Sequence, residues 1–316
     1  MKIYFLCDEC RKPIGGIKKI YNQVDILNKS GFNAFVLYRK KSFRCDWFDN
    51  DTKIEYWDNI KFDKQKDYLV LPEMYGKRIN SIMDDVNKII YNQNCYFTFY
   101  NYPIDKKNKY PYKNKNIKAV ITISSHCYKY LKYVFPKSII FRIHHGIDNS
   151  IFKYSNSKKL QITFYNKKNR LDNDIAQIFN ILNVRKVLKN VNFVEIKNIS
   201  EKQIAKIMKD SFLFLSLNFR DGFGLTPVEA MACGCVVVGY PGGGGEEYFK
   251  KGINYKINDG DILGFVNKIE YIINDYKKHP NKYLKMGKMA SQFVKDTYSL
   301  EREERDIIKT WNKILN

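Results

Sequence analysis

The chain has 316 residues, 44% of them hydrophobic, and carries 55 Lys and Arg against 33 Asp and Glu, a formal net charge of +22. This length is long for one hydrophobic core and suits two domains. No apolar run is long enough to span a bilayer, and the run in Met1–Cys7 is too short for a signal peptide. We therefore expect a cytoplasmic protein, with peripheral attachment at the inner membrane face left open.

Short apolar runs alternate with helical patterns in the first half, which favours parallel α/β architecture. Lys2–Leu6 reads as a strand, a loop with Gly15 and Gly16 follows, and a helical pattern over residues 17–27 ends at Gly31. Further strand candidates are Asn33–Tyr38, Asp67–Leu71, Lys88–Tyr91, Lys118–Ile123 and Ser138–Ile143.

The positive charge is spread over both halves, since residues 1–150 hold 27 Lys and Arg against 15 Asp and Glu. One local concentration runs from Lys106 to Lys118, with six lysines around Tyr110 and Tyr112. Three interpretations stay open: a solvated loop, a surface that meets anionic lipid, or a nucleic-acid contact. The last is least favoured, because no recognised binding module accompanies the charge.

A second α/β series follows residue 150. Its strand candidates are Leu160–Phe164, Val191–Ile196, Phe212–Leu217 and Cys235–Val238. Ser200 and Gln203 predict a capping box for a helix ending near Asp210. The last helical pattern, Leu300–Leu315, places Ile307, Ile308, Trp311 and Leu315 on one face. We expect domains at 1–150 and 151–298, and a terminal helix at 299–316.

Seven cysteines are scattered along the chain, and only Cys7 and Cys10 form a Cys-x-x-Cys pair. A zinc site of this type needs a second pair or matching histidines, which the spacing does not supply. The sequence therefore predicts reduced thiols and no bound metal.

The most informative segment runs from Arg220 to Tyr240, where a glycine-rich turn joins Asp221 to Glu229. A strand that passes through a glycine turn into a helix presents backbone N–H groups and a positive helix end to a phosphate. Glycine also lets a ligand approach the backbone closely. The two acids flank this anion site and can hold sugar hydroxyls. The pattern therefore predicts the donor pocket of an enzyme that handles a nucleotide sugar.

Glu229 has a second interpretation. Thr226 as helix cap, Pro227 at the first helical position and Glu229 at the third would form a capping box. In that case the carboxylate would serve its own helix. The upstream glycines and Asp221 favour the ligand role, because capping needs neither.

Two further loops of the second half are candidates for the same site. Lys167, Lys168 and Arg170 follow a strand and could neutralise a diphosphate without a metal, although a solvated cluster is the alternative. The run from Pro241 to Glu247 places four glycines and two acids after the next strand, at the start of a helix. A flexible turn is its simpler interpretation.

Taken together, these motifs resemble the retaining glycosyltransferases of family four (group 1), which have the GT-B architecture. The similarity covers essentially the whole chain. Its most specific part is the segment 221–234, which is similar to that family's E-x7-E segment. His145-Gly146-Ile147-Asp148 with Phe152 resembles a signature at the domain junction, and Gly15-Gly16 resembles an amino-terminal glycine loop.

The resemblance implies two Rossmann-like parallel-sheet domains facing across a cleft, with the last helix crossing back to the first domain. It implies that the second domain holds the donor and that no cofactor is needed beyond this nucleoside-diphosphate sugar. The implied catalytic residues are Asp221 at the sugar, Glu229 at the ribose, and Lys167 and Lys168 at the diphosphate. The implied donor-binding residues are Gly15, Gly16, Arg170, Lys197, Gly222, Phe223, Gly224, Leu225 and Thr226.

The chain departs from the family pattern at two places. Asp221 replaces the first glutamate of the pair, and is one methylene shorter. A histidine that the family often has after a strand of the first domain is replaced by Asn92-Gln93-Asn94, with Glu73 after the preceding strand. Candidate acceptor or sugar contacts are therefore Glu73, Asn92, Gln93, His144 and His145, the two histidines having a structural role at the hinge as their alternative.

The resulting hypothesis is a metal-independent, retaining transferase of cell-surface polysaccharide synthesis that acts on a glycan or lipid-linked acceptor. In such a reaction the protein mainly stabilises the departing diphosphate and positions both partners. The rival hypothesis is a noncatalytic polyanion- or membrane-binding protein that keeps the fold. An inverting or phosphorylase-type enzyme on the same plan is a third alternative.

Overall fold

The structure, a computed structural model, describes residues 1–165, 174–217 and 219–316. The chain folds into two units, each with its own sheet and core. Unit 1 comprises Met1–His144 and Glu301–Asn316, and unit 2 comprises His145–Leu300. The borders predicted from the sequence were residues 150 and 298.

Unit 1 is built on one sheet of seven strands, all pairing in parallel. The strands are β1 (Ile3–Leu6), β2 (Ala34–Tyr38), β3 (Ile54–Tyr56), β4 (Tyr68–Pro72), β5 (Asn87–Asn92), β6 (Ile117–Thr122) and β7 (Ile140–Arg142). Its first helices are α1 (Gly15–Lys29) and α2 (Ser125–Val134). All strands predicted for this half form. Strand β3 was not predicted, because it is short and only half-buried.

The strand order in unit 1 is β3-β2-β1-β4-β5-β6-β7. The chain moves outward from β1 to β3 and then returns to the other side of β1, so β1 and β4 are neighbours. Loops that leave such a pair diverge and open a crevice at the carboxyl ends of the strands, where ligands bind in folds of this kind. In unit 1, Asp8 follows β1 and Glu73 follows β4 at this position.

Unit 2 contains a second parallel sheet, of five strands. The strands are β8 (Lys159–Tyr165), β9 (Asn192–Ile196), β10 (Ser211–Leu217), β11 (Val236–Tyr240) and β12 (Asn254–Lys256). The helices are α3 (Asp174–Val184), α4 (Glu201–Asp210), α5 (Leu225–Ala232), α6 (Ile262–Lys278) and α7 (Pro280–Thr297). The predicted capping box of α4, between Ser200 and Gln203, is confirmed.

The order β12-β11-β10-β8-β9 makes β8 and β10 the neighbours at which the chain changes direction in this sheet. Both strands are buried over most of their length, as expected for strands covered on two faces. Phe164 of β8 pairs with Leu215 of β10, so the two strands end close together. The glycine turn that starts at Asp221 follows β10 at this edge.

The last helix, α8 (Leu300–Leu315), packs within unit 1 although it follows unit 2 in sequence. Trp311 is fully buried and its ring lies 5.8 Å from that of Phe5. Ile307 is buried as well, so the predicted apolar face of the helix is the one that packs. Glu303 is also buried, and it pairs with Lys19 of α1 at 2.8 Å.

Among the described helices, none is both long enough and apolar enough to cross a bilayer.

Candidate functional site

Two glycine-containing loops lie side by side at the carboxyl edge of the sheet in unit 2. The backbone N–H of Asp221 donates to the carbonyl of Gly242 at 2.7 Å, and the N–H of Gly244 donates to the carbonyl of Asp221 at 3.0 Å. Asp221 and Gly243 thereby form an isolated parallel bridge. The turn after β10 and the loop after β11 therefore make one rigid ledge.

Close packing explains why Gly244 has no side chain. A Cβ at this position would lie 2.2 Å from the carbonyl oxygen of Gly222 and 2.5 Å from the backbone nitrogen of Phe223. Both neighbours are backbone atoms, which cannot rotate away. Glycine at 244 thus lets the second loop rest directly on the turn of the first.

Aromatic side chains support the turn from below. The ring of Phe223 is 1% exposed and packs edge-on against the rings of His145, Tyr248 and Tyr298. The Tyr248 hydroxyl donates to the carbonyl of Phe223 at 2.9 Å and lies 3.2 Å from that of Gly224. Phe223 was predicted to bind the donor, and its buried ring leaves only its backbone for that role. The sequence did not single out Tyr248.

Helix α5 begins two residues earlier than the sequence predicted. Its N-cap is Gly224, with φ 80° and ψ 81°, and no side chain caps the helix. Thr226 and Pro227 are thus the second and third helical residues. The predicted capping box is wrong, because Gly224 adopts a left-handed conformation and the helix begins directly after it, before Thr226. Pro227 is tolerated there, since first-turn N–H groups have no intrahelical partner.

This correction changes the interpretation of Glu229. It is the fifth residue of α5, one turn too deep to reciprocate a cap, and it is half-buried. The capping role that competed with ligand binding is therefore not available to it in this structure.

The first turn of α5 has the properties of an anion site. Its N-cap residue, Gly224, has no side chain that could cap the first N–H groups, and the amino end of a helix carries a partial positive charge. Leu225 and Thr226 are half-buried rather than covered. The ledge can therefore present backbone donors to a ligand at the position where ligands bind in open parallel sheets.

Of the cationic residues predicted for the donor site, the structure describes Lys197 only. Lys167, Lys168 and Arg170 lie outside the described residues, so their placement stays a prediction. The chain leaves β8 at Tyr165, beside β10, immediately before them in sequence. Lys197 is exposed directly after β9, on the far side of β8.

The loop after β11 forms a short 3-10 turn over Gly244–Glu247 rather than an α-helix. Gly242 and Gly243 have φ of 60° and 84°, the left-handed region that favours glycine. Glu246 is exposed and pairs with Lys256 at 2.8 Å. Glu247 accepts from the Tyr298 hydroxyl at 3.1 Å.

In unit 1, three predicted residues lie together beside the switch between β1 and β4. Helix α1 starts at Gly15 without a side-chain cap. The Gln93 amide Nε2 donates to the carbonyl of Gly16 at 3.2 Å. The Glu73 carboxylate accepts from the backbone N–H groups of Gln93 at 3.1 Å and Asn94 at 2.9 Å. Glu73 thus holds the loop that carries Gln93 against the glycine loop.

Asn92 is not placed to touch a ligand. It is fully buried, and its Nδ2 donates to the Thr98 hydroxyl at 3.0 Å and to the Tyr112 hydroxyl at 2.7 Å. The predicted sugar contact at Asn92 is therefore corrected to a structural role. The difference follows from position, because Asn92 is the last residue of β5, inside the buried sheet, whereas Gln93 has left the strand.

The two histidines at the junction have partners inside their own units. In unit 1, His144 Nδ1 lies 2.6 Å from Asp306 Oδ2 and its Nε2 lies 2.9 Å from Arg302. Burial lowers the pKa of His144. In unit 2, His145 is buried against Phe223. These contacts favour the structural alternative for both residues.

Among the described residues the cysteines form no disulfide, and every one except Cys10 is buried. Over the described ranges, no group of three or more His, Cys, Asp or Glu is arranged to hold a metal ion. The expectation that the reaction needs no metal stays a prediction.

Comparison with known proteins shows what the part of the chain that contains this ledge is similar to. Residues 176–293, which include Asp221 and Glu229, match the family model described as glycosyl transferases group 1. The chain is also similar to an alpha-1,6-glucosyltransferase of Actinobacillus pleuropneumoniae serotype 7, with 26% identity over 290 residues, 87% of this chain and 84% of the relative.

Solved structures share the fold of this chain. A glycosyltransferase of Rickettsia africae superposes with a TM-score of 0.72 at 13% identity, over 100% of this chain and 98% of that one. HepE of Anabaena, solved with UDP and glucose, superposes with a TM-score of 0.63 at 16% identity, over 99% and 100%. At these identities the likeness concerns the fold, and the predicted GT-B class with two Rossmann-like sheets is confirmed.

Proposed function

We propose that this chain is a glycosyltransferase that moves a sugar from a nucleoside-diphosphate donor, held by unit 2, to a glycan or lipid-linked acceptor in cell-surface polysaccharide synthesis. The observation that carries the proposal is the ledge formed by the turn at Asp221 and the uncapped start of α5. It lies at the strand switch of a parallel sheet and offers N–H donors with two carboxylates nearby in sequence.

The roles of the residues follow from their chemistry. Backbone N–H groups at Gly224–Thr226 bind the diphosphate, and Glu229 accepts from the ribose hydroxyls. Asp221 accepts from a hydroxyl of the donor sugar, and the base lies near Lys197. Lys167, Lys168 and Arg170 supply the counter-charge that a divalent ion would otherwise provide. In unit 1, Gln93 and the glycine loop at Gly15 and Gly16 stay candidate ligand contacts.

We propose transfer with retention. The bond from the anomeric carbon to the diphosphate oxygen breaks, the acceptor oxygen bonds to that carbon on the same face, and the acceptor proton passes to the departing phosphate. The protein stabilises the developing charge on the diphosphate and positions the acceptor. A product of inverted anomeric configuration, read by NMR, would contradict this step.

A UDP-linked hexose is the first donor to test. HepE was solved with UDP and glucose, and the Actinobacillus relative is named a glucosyltransferase. A screen of UDP-, GDP-, ADP- and CMP-sugars for nucleotide release identifies the donor without knowledge of the acceptor.

Replacing Glu229 with Ala should lower nucleotide release about 10- to 100-fold, the loss expected when a hydrogen bond to a charged group is removed. The matched control is Glu270→Ala, which removes a half-buried carboxylate of α6 that pairs with Arg185. The control should keep the wild-type rate. An undiminished rate in Glu229→Ala would contradict the assignment.

The polyanion-binding alternative is favoured by one observation, the +22 charge. Thermal-shift titration separates the two functions. Selective stabilisation by one nucleoside diphosphate supports the transferase, whereas equal stabilisation by inorganic polyphosphate, heparin and every nucleotide supports the alternative.

A further inference from the structure

A basic cavity in unit 1 lies outside the residues assigned to the transfer reaction. It has a volume of about 420 Å³ and lies between the turn after β4 and the segment that follows β5. We call it the basic pocket; its lining residues are Lys77, Arg78, Asn80, Ser81, Tyr102, Lys107, Asn108 and Lys109. Four of these described residues are cations and none is acidic, which points to an anionic ligand.

The pocket is built on a fastened backbone. The buried Lys88 of β5 donates from Nζ to the carbonyl of Ile79 at 3.0 Å, with the carbonyl of Asn80 at 3.5 Å. Burial lowers the pKa of Lys88. On the other wall, Asn108 Nδ2 donates to the carbonyl of Pro103 at 2.8 Å. The cations on both walls are thus carried by loops whose backbones are tied down.

Tyr102 supplies a hydrogen-bond donor at the same place. Its ring packs against Tyr110 at 5.4 Å, and its hydroxyl is buried without a partner among the described residues. A buried hydroxyl that lacks a partner is costly. Because the hydroxyl has almost no accessible surface, a phosphate oxygen in the basic pocket would accept this hydrogen bond only after the Tyr102 ring shifts toward it.

Apolar side chains protrude beside the pocket. Ile104 is fully exposed, Tyr100 is 51% exposed and Phe97 is 37% exposed. A single exposed apolar residue is ordinary, but here the rings of Phe97 and Tyr100 lie 5.8 Å apart and Ile104 follows four residues later, in the segment that lines the basic pocket. Contact with a soluble polyanion does not remove an isoleucine side chain from water, whereas its transfer into lipid is favourable in free energy.

The surrounding charge has one sign. Residues 86–147 contain eleven Lys and Arg and a single carboxylate, that of Asp105. Asp105 accepts from the backbone N–H of Lys107 at 2.9 Å, so it also serves the turn. Lysines with neighbouring tyrosines are the composition that binds the surface of an anionic bilayer.

We propose that this face of unit 1 docks on an anionic phospholipid bilayer, with a lipid phosphate in the basic pocket and Ile104 and Tyr100 in the interfacial layer. The proposal goes beyond the proposed function and does not rest on it. It selects lipid from the three interpretations that the Lys106–Lys118 segment allows, and it extends the surface to Lys77, Arg78 and Ile104.

Vesicle flotation with the full chain tests the proposal. Wild type should bind vesicles containing phosphatidylglycerol and not vesicles of phosphatidylcholine alone. Lys107→Gln/Lys109→Gln should lower binding about tenfold or more, from the loss of two surface lysines. Ile104→Ser should also lower binding, while the remaining binding keeps its dependence on salt.

Two control variants make the same changes elsewhere. Lys277→Gln/Lys278→Gln removes two exposed lysines of α6, and Leu263→Ser removes a 67% exposed apolar side chain. Both should bind vesicles like wild type. Equal losses in Lys107→Gln/Lys109→Gln and its control would overturn the proposal, because net charge alone would then explain binding.

Ligands of the basic pocket other than lipid would give different results in these experiments. Unchanged vesicle binding by Ile104→Ser, or saturation of the site by glycerol phosphate or single-stranded DNA with no binding to vesicles, would overturn the lipid assignment. Nucleotide release measured without vesicles is expected to be unaffected in all of these variants, which separates failure here from failure of the proposed transferase function.

Discussion

Glu73 is a carboxyl group that the fold buries and then uses as a backbone acceptor. It is 4% exposed, and burial raises its pKa from 4.5 to about 7, although its hydrogen bonds from Gln93 and Asn94 oppose that rise. Burial disfavours the charged form because the carboxylate loses its water. A loop next to the glycine loop is therefore held by a group that titrates close to neutral pH.

Replacing Glu73 with Gln should change how stability depends on pH. Between about pH 4.5 and pH 7 the folded wild type binds more protons than the unfolded chain, so this group lowers stability as pH rises through that window. The resulting loss in the free energy of unfolding reaches about 3 kcal/mol at most. The Tm of wild type should thus fall more steeply over this window than that of Glu73→Gln.

Tryptophan fluorescence is the suitable readout, because all three tryptophans, Trp47, Trp57 and Trp311, belong to unit 1. The control is Glu304→Gln, an exposed change on α8 that should leave the wild-type slope intact. Parallel pH profiles for wild type and Glu73→Gln would show that Glu73 does not titrate in this window.

At the scale of elements, the candidate site depends on contact between two loops that follow neighbouring strands. The turn after β10 and the loop after β11 share two backbone hydrogen bonds, and Gly244 rests on Gly222. Neither loop contains a regular strand at this point, so the conformation of each loop is fixed by its hydrogen bonds to the other. The orientation of the first turn of α5 follows from that contact.

Replacing Gly244 with Ala should displace the turn, because the new Cβ would lie 2.2 Å from the carbonyl oxygen of Gly222. We expect a loss of stability of about 1–3 kcal/mol, typical of overpacking, and a decrease in affinity for UDP of tenfold or more in calorimetric titration.

Gly252→Ala is the matched control for this loop. Its φ is +92° and nothing lies within 4 Å of a Cβ there, so it introduces strain without a clash. It should lose about 1 kcal/mol of stability and keep wild-type affinity. Wild-type UDP affinity in Gly244→Ala would show that the ledge does not carry the nucleotide.

At the scale of the whole molecule, the first and last parts of the chain form one unit. Glu303 of α8 accepts from Lys19 Nζ at 2.9 Å and 2.8 Å, and from Asn22 Nδ2 at 3.1 Å. The Lys19 and Glu303 side chains are only 11% and 3% exposed. A desolvated pair of this kind fixes where the helix sits, whatever its net contribution to stability.

Removing one partner should be costly and removing both should not. Glu303→Ala should destabilise unit 1 by about 3–5 kcal/mol, because it leaves the Lys19 ammonium buried without this carboxylate. The double change Lys19→Met/Glu303→Leu should recover most of that loss. Urea unfolding followed by tryptophan fluorescence measures both.

The control for the pair is Glu301→Ala, which removes an exposed carboxylate from the same helix. It should stay within about 0.5 kcal/mol of wild type, as surface changes usually do. A double variant no more stable than Glu303→Ala would refute the buried-pair explanation.

The sequence by itself determined the strands, most helices and the glycine turn of this protein. Runs such as Phe212–Leu217 and Cys235–Val238 are buried on both faces, and burial on both faces leaves a continuous apolar pattern that is legible locally. The glycine turn of the ledge was recognisable because glycines between a strand and a helix are typical of a backbone that a ligand approaches closely.

Only the tertiary structure decided what depends on contacts between distant residues. Gly224 rather than Thr226 begins α5, Asn92 points into the core while Gln93 leaves it, and Tyr248 holds the turn from below. Composition and spacing cannot rank such alternatives, because each residue type is compatible with both. The structural role that each residue takes depends on which backbone atoms the strand order of the sheet brings within hydrogen-bonding distance of it.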